Sequence, residues 1–369
     1  MSAIPDKIQT WQMVKPWGKD KDTGETIEGK IEKTAIPVPE LKADEVLVEV
    51  AGCGVCHTDL GYFYDGVPTV SNPPLTLGHE ISGTIVAGDE SLIGKEVIIP
   101  GVMPCRKCYL CKTGRGNRCL AQKMPGNSMG LYGGFSSHIP VPSVDLCEIQ
   151  DRGDTPLSHF AVIADAATTP YQASKRADLQ PGDNVIVVGI TGGVGLYQGQ
   201  VAKALGAKTV IGIARNPEKL ERSLSYGADF VINSTDKDPR AVNKEFRTIC
   251  KENSLPNYGW KIFEVTGTKG GQEIALALLG FTGKLIVVGF GMQKVDYSIG
   301  RLMAFDAELI GTWACLPEYY SIVLEMALTK KIEIEPFLET RPLSSIVETF
   351  DEVHRAGSPA KRIVLTPDF

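Results

Sequence analysis

Residues Val185 to Val188 are an apolar run, the turn Gly189-Ile190-Thr191-Gly192-Gly193-Val194-Gly195 follows, and a helix-like stretch extends from Gly195 to Leu205. A second strand, Thr209 to Ala214, comes directly after. Strand, glycine-rich turn, helix and strand in that order specify a βαβ unit with parallel strands. Phe230-Val231-Ile232, Lys261 to Val265 and Lys284 to Gly289 repeat the short apolar strand between helical or loop-like stretches, so the segment reads as a doubly wound parallel sheet. Glycines let a backbone approach a pyrophosphate, and a helix N-terminus adds N–H groups and partial positive charge. Gly189, Thr191, Gly192, Gly193, Val194 and Gly195 are therefore the candidate dinucleotide contacts. In the usual Gly-X-Gly-X-X-Gly pattern the first glycine falls where Ile190 stands, with Gly189 one residue earlier. The next strand ends Gly212-Ile213-Ala214-Arg215-Asn216, where a site for NAD normally has Asp or Glu. Arg215 suits the 2′-phosphate of NADP; it could equally stack on adenine or be a solvated surface residue.

The first third reads differently. Glu45 to Val50 alternates strictly, Glu96 to Ile99 continues as E-V-I-I, and Gly and Pro break the strands, which predicts an antiparallel, barrel-like unit. After Trp313 the chain turns to a helical stretch, Tyr319 to Lys330, and a final strand-like piece, Arg362 to Leu365.

With 369 residues, 43% hydrophobic and 22% charged, the chain is long enough for two ordinary domains. Lys and Arg number 38 against 44 Asp and Glu, a net charge of -6, which leaves no global field for nucleic acid or an anionic membrane. Apolar runs of about six residues cannot span a bilayer, which needs about 20. Met1 to Lys7 shows no secretory pattern, so the expected compartment is the cytoplasm. Of nine cysteines, six crowd between Cys53 and Cys119, and in a reducing compartment such crowding favours metal over disulfide.

Cys105-X2-Cys108-X2-Cys111-X7-Cys119 offers four thiols in fifteen residues, the pattern of a structural zinc site. An iron–sulfur cluster uses similar spacing, but its fourth thiol is normally remote and followed by proline, whereas Leu120 follows Cys119. Cys56-His57-Thr58-Asp59 and Gly78-His79-Glu80 each place one good zinc ligand at a loop edge, Cys56 and His79. In this order, beside a four-cysteine lobe, the pair resembles the zinc-dependent medium-chain alcohol dehydrogenases over essentially the whole chain.

The resemblance implies a GroES-like β-barrel catalytic domain over residues 1–167 with the zinc lobe at about 100–125. It further implies a Rossmann domain over 168–315 and a return to the catalytic domain over 316–369. It implies two Zn2+ per chain, one structural and one catalytic, and a third catalytic ligand from Asp165-Ala166-Ala167-Thr168-Thr169, where Asp165 stands in place of the commonest Cys. A carboxylate is a competent ligand, though Asp165 is also placed to cap a helix. Glu80 either hydrogen-bonds the site or enters the zinc shell as a fourth ligand. Thr58 is the expected proton relay or else a turn residue, and Gly61 stands where many relatives carry a relay His. His57 matches a position near the cofactor pyrophosphate, and Val265 and Val288 match backbone contacts on the nicotinamide side. Within the family, the stretch TDLGYFYDGVPTVSNPPLTLGH, Asp165 and the GITGGVG turn resemble enzymes that oxidise an allylic ring alcohol on a CoA thioester with NAD+. A homo-oligomer, dimer or tetramer, is expected. A C=C reductase of the same superfamily and a non-catalytic zinc-stabilised binding protein are the competing readings.

Overall fold

In the computed structural model, which describes residues 4–20, 22–356 and 361–369, the chain divides into two units. One comprises residues 1–165, 314–325 and 334–369, the other residues 166–313 and 326–333.

The first unit opens with β1 (Lys7–Lys15), β2 (Gly18–Lys19), β3 (Thr26–Ile27), β4 (Lys30–Pro37) and β5 (Glu45–Gly54). Helix α1 (His57–Phe63), β6 (Leu75–Thr76), β7 (Glu80–Ala87) and β8 (Glu96–Ile99) follow. A loop lobe carrying α2 (Tyr109–Lys112) leads to β9 (His138–Pro142) and β10 (Cys147–Glu148). Along β5 the apolar residues occupy both faces, and Val46, Leu47 and Val48 are all buried. Val46, Val48 and Val50 join the main core with Ile81, Phe135 and Leu365, while Leu47 is covered by Ile8, Ile36 and Ala87. The strand lies inside its sheet and is covered on both sides, so its pattern is that of a central strand.

The second unit runs α3 (Thr168–Arg176), β11 (Asn184–Val188), α4 (Gly195–Ala204), β12 (Thr209–Ala214), α5 (Pro217–Leu224), β13 (Phe230–Asn233) and α6 (Pro239–Glu252). It continues with β14 (Lys261–Glu264), α7 (Lys269–Leu278), β15 (Lys284–Val287), α8 (Gly300–Phe305) and β16 (Glu308–Gly311). All six strands are parallel, in the order β13-β12-β11-β14-β15-β16. The order reverses at β11, so its C-terminal end and that of β14 flank the crevice where a doubly wound sheet takes its ligand. Helix α6 shows how the layers attach: Asp238 caps it through the Ala241 N–H, and Val242, Phe246 and Cys250 face the core at helical spacing.

The last stretch supplies α9 (Tyr320–Leu328), β17 (Leu338–Pro342), α10 (Ile346–Ala356) and β18 (Arg362–Thr366). β18 lies antiparallel to β5, pairing Val364 with Gly54 and Leu365 with Cys53, and completes the first unit's larger sheet in the order β10-β8-β7-β5-β18-β17. Sequence-distant Arg362 is thereby delivered beside β7.

Candidate active site

Cys56 ends the link from β5 to α1, and His79 immediately precedes β7. Gly78 has φ +93°, and a Cβ there would lie 2.7 Å from Cys53 Sγ, so only glycine lets this turn aim His79 inward. Asp165 follows the 3-10 stretch Leu157–Ala164. The ligand atoms of Cys56, His79, Glu80 and Asp165 all lie within 4.8 Å of one another. Asp165 Oδ2 is 3.7 Å from both Cys56 Sγ and His79 Nε2. Donors bound tetrahedrally to zinc at about 2.0–2.3 Å stand about 3.3–3.8 Å apart, so the cluster fits that ion. The capping alternative for Asp165 is not what the chain adopts: α3 begins only at Thr168, with Ala167 at the cap position. Thr58 Oγ1 is 3.6 Å from Cys56 Sγ and half-buried, next to the donor set. His57 is exposed.

Two residues essential to this geometry carried no assigned role in the sequence reading. Asp59 is fully buried and accepts the Cys56 N–H at 3.1 Å and the Gly78 N–H at 3.0 Å, binding both ligand-bearing loops. Its Oδ1 also lies 3.3 Å from His79 Nδ1. An acid three residues into a helix is the signal that could have marked it. The second is Arg362, whose Nε donates to Glu80 Oε2 at 2.8 Å while Nη2 donates to Oε1. Both residues are buried, and a Cβ at Gly54 would lie 2.0 Å from Glu80 Oε2, so this glycine makes room for the pair. A lone Arg opening an apolar strand, Arg362-Ile363-Val364-Leu365, was the available clue.

The electrostatics favour positive charge at the cluster. Burial works to lower the His79 pKa, but Asp59 and the contacts with Asp165 and Cys56 outweigh it and hold the imidazole well above its ordinary value. Burial pushes the Glu80 carboxyl up to about 7 against the pull of Arg362. A divalent cation would satisfy what the protons otherwise supply.

The second cluster is all sulfur. Cys105, Cys108, Cys111 and Cys119 also lie within 4.8 Å of one another, with Sγ separations of 3.5 Å for Cys108–Cys111, 3.8 Å for Cys108–Cys119 and 4.0 Å for Cys105–Cys111. Backbone N–H groups of Cys111 and Leu120 lower the Cys108 thiol to about 6, while desolvation and neighbouring sulfurs raise Cys111 to about 12. Four thiols this close cannot all ionise without a cation among them, and zinc fits the set.

In the second unit, Gly189 has φ +96° and a Cβ there would meet Thr266 Cγ2 at 2.5 Å. A Cβ on Gly195 would lie 2.0 Å from Gly189 O, so helix α4 can start this close to the strand end only with glycine. Ile190 is buried and fills space that glycine at 212 leaves open, since a Cβ on Gly212 would lie 2.7 Å from Ile190 Cδ1. That compensation explains how the turn tolerates its departure from the usual glycine. Thr191, Gly192, Gly193 and Val194 are half-buried along the turn, and the Gly192 N–H donates to Gly189 O at 2.9 Å. Val265 and Val288 sit just past the ends of β14 and β15, where their N–H groups bond Val188 O and Glu264 O at 3.1 and 2.9 Å. Arg215 is exposed just past β12, its carbonyl accepting from Thr235 Oγ1 at 2.6 Å.

Comparison with known proteins adds independent observations. Residues 42–151 match the alcohol dehydrogenase GroES-like domain and residues 193–329 the zinc-binding dehydrogenase family. An alcohol dehydrogenase of Geobacillus stearothermophilus is 30% identical over 333 residues, covering 89% of this chain and 93% of the relative. The chain belongs to the zinc-dependent medium-chain alcohol dehydrogenase family. A sorbitol dehydrogenase of Bacillus subtilis (strain 168) is 32% identical over 276 residues, 73% of this chain and 74% of that protein. An NAD-dependent alcohol dehydrogenase of Sulfurisphaera tokodaii is 25% identical over 346 residues, 89% of this chain and 95% of that protein. The crystal structure of galactitol-1-phosphate dehydrogenase from Escherichia coli superposes with a TM-score of 0.81 at 26% identity, covering 97% of this chain and all of that one. This medium-chain dehydrogenase is thus an oxidoreductase acting on CH–OH, of GroES-like plus Rossmann architecture. Among its described residues no helix is long and apolar enough to cross a membrane.

Proposed function

We propose that this dehydrogenase oxidises the allylic ring alcohol of 6-hydroxycyclohex-1-ene-1-carboxyl-CoA to the conjugated ketone with NAD+. That is the reaction of 6-hydroxycyclohex-1-ene-1-carboxyl-CoA dehydrogenase in anaerobic benzoyl-CoA degradation, the enzyme that its Thr58–His79 stretch, Asp165 and GITGGVG turn resemble. The observation that carries a redox role is the convergence of Cys56, His79 and Asp165 on one point, with Thr58 Oγ1 3.6 Å from Cys56 Sγ.

In this reading Cys56, His79 and Asp165 hold the catalytic zinc, and Cys105, Cys108, Cys111 and Cys119 the structural one. Bound zinc supplies positive charge that favours loss of a hydroxyl proton, and the nicotinamide supplies the hydride acceptor. Asp59 keeps the Cys56 and His79 loops in register. Arg362 holds the Glu80 carboxylate, which leaves three ligands and one position for the substrate oxygen. Thr58 takes the hydroxyl proton and passes it outward, with no histidine at Gly61 to continue the relay. His57, the Gly189–Gly195 turn, Val265 and Val288 serve the dinucleotide. Arg215 favours NADP as a second reading, while the whole-chain resemblance and the NAD-dependent relative favour NAD. Nine free cysteines, the four outside the two clusters all buried, support a reducing, cytoplasmic setting. A homo-oligomer is supported by exposed Leu309 on β16, which pairs only with β15 among the described residues, and by exposed Ile299 and Met303 at the helix α8 that precedes it.

Reduced-nicotinamide absorbance tests the proposal, with NAD+ and NADP+ run in parallel against the cyclohexenol CoA thioester and a simple cyclic alcohol. Thioester turnover with NAD+ is expected. Turnover of the simple alcohol alone would overturn the substrate, and turnover with NADP+ alone would overturn the cofactor.

A further inference from the structure

Between Glu96 and Asp145 the chain carries no carboxylate side chain, yet Arg106, Lys107, Lys112, Arg115, Arg118 and Lys123 all fall in that stretch. Arg106 is held by Asp145 and Lys123 by Glu45. Lys107, Lys112 and Arg115 are exposed and, among the described residues, have no carboxylate at ion-pair distance. Four thiolates around one divalent ion leave two negative charges, and Lys107, Lys112 and Arg115 alone outnumber them. The lobe therefore keeps a positive surplus in a chain whose net charge is -6. Tyr109 and Leu120, 76% and 81% exposed, stand in the same lobe. An exposed aromatic face among uncommitted cations is the chemistry that receives a purine base and its phosphates.

We propose that the four-cysteine lobe, besides stabilising the fold, docks the adenosine phosphate handle of a CoA thioester. Lys107, Lys112 and Arg115 pair with the 3′-phosphate and diphosphate, and Tyr109 stacks on the adenine. The lobe belongs to the same unit as the Cys56, His79 and Asp165 cluster. The inference rests on the CoA-thioester reading above.

The test compares the zinc-loaded enzyme with its triple variant K107Q/K112Q/R115Q. Each is titrated with coenzyme A by equilibrium dialysis, and zinc content and sedimentation mass are measured on both. The expected result is a loss of CoA affinity of about tenfold or more, greater at low salt, with zinc and mass unchanged. KM for the thioester rises in step while kcat stays within about twofold, and a simple cyclic alcohol is unaffected. Tyr109→Ala alone weakens CoA by about fivefold. Should the triple variant lose zinc, Lys112→Gln alone carries the comparison at about threefold. Absence of CoA binding by the unaltered enzyme, or equal affinity in both proteins, overturns the proposal, as does a change of mass in place of affinity, which would make the face a contact with a second copy. Charge-dependent CoA binding without thioester turnover would sink the substrate reading and leave the docking surface standing. Thioester turnover with a KM indifferent to the triple variant would do the reverse.

Discussion

The two candidate metal clusters differ in their donors, four thiols against a thiol, an imidazole and two carboxylates, and in their surroundings. The sulfur lobe is built of loops and the short helix α2, with three of its four cysteines partly exposed, and all four donors come from fifteen consecutive residues. The Cys56, His79, Glu80 and Asp165 set is assembled from segments up to 109 residues apart, with the first three buried. Every donor in the lobe is a thiol, so the shell closes on itself. In the other cluster one donor, Glu80, is held by Arg362 on a strand that arrives from the far end of the chain. Four thiols around one ion fill a tetrahedral shell, the arrangement of a structural site. A cluster assembled by tertiary structure can keep a ligand engaged elsewhere and so leave a coordination position open.

The sharpest way to break this contrast is Asp165→Ala. It is expected to remove one of two zincs per chain and to lower kcat/KM by about a thousandfold or more, with the lobe zinc retained. Unchanged zinc content, read by elemental mass spectrometry, would remove Asp165 from the ligand set. Next comes Thr58→Ala, expected to lower kcat by about 100-fold or more with both zincs and cofactor affinity in place. Metal loss in that variant would make Thr58 structural.

On the lobe the order of effects should invert. Cys111→Ser is expected to lose the other zinc and to lower Tm by about 10 °C, while activity at low temperature falls less than about fivefold. An equal loss of activity and stability would erase the distinction between staple and catalyst. Arg362→Met leaves buried Glu80 without its partner, which costs about 3–5 kcal/mol in denaturant unfolding unless the carboxylate moves to the metal. A smaller loss accompanied by tighter zinc retention would show that Arg362 keeps Glu80 out of the shell. The smallest effect belongs to Arg106, which has φ +60° and whose guanidinium pairs with buried Asp145. Arg106→Ala should destabilise by about 1 kcal/mol more than Arg106→Gly, because both lose the ion pair and only alanine keeps the left-handed strain. Equal losses would mean that the backbone there is not strained.

Local pattern carried much of the molecule. The parallel sheet was legible from Val185–Val188, the glycine turn and the strands that follow, since apolar runs punctuated by glycine admit few arrangements. The four-cysteine lobe was legible because all its donors lie within fifteen residues. The strand at Glu45 was legible as a strand, and Leu47, on the same face as Glu45 and Glu49, is covered by Ile8, Ile36 and Ala87. The covering residues come from three other strands, β1, β4 and β7, which no pattern near Glu45 names.

The sequence by itself determined the donor types, the dinucleotide turn and the family, because each depends on neighbours in the chain. Only the tertiary structure decided that Asp165 meets Cys56 and His79, that Asp59 binds two loops at once, and that Arg362 reaches Glu80. These are long-range contacts: β5 with β7 brings the Cys56 and His79 loops together, the 3-10 stretch Leu157–Ala164 delivers Asp165, and β18 with β5 delivers Arg362. Ile190 makes the same point on a smaller scale: it breaks the glycine pattern, and its tolerance lies in Gly212 on the neighbouring strand. A buried charge or a displaced glycine is stable only if its partner arrives from elsewhere, and the arrival is a property of the fold.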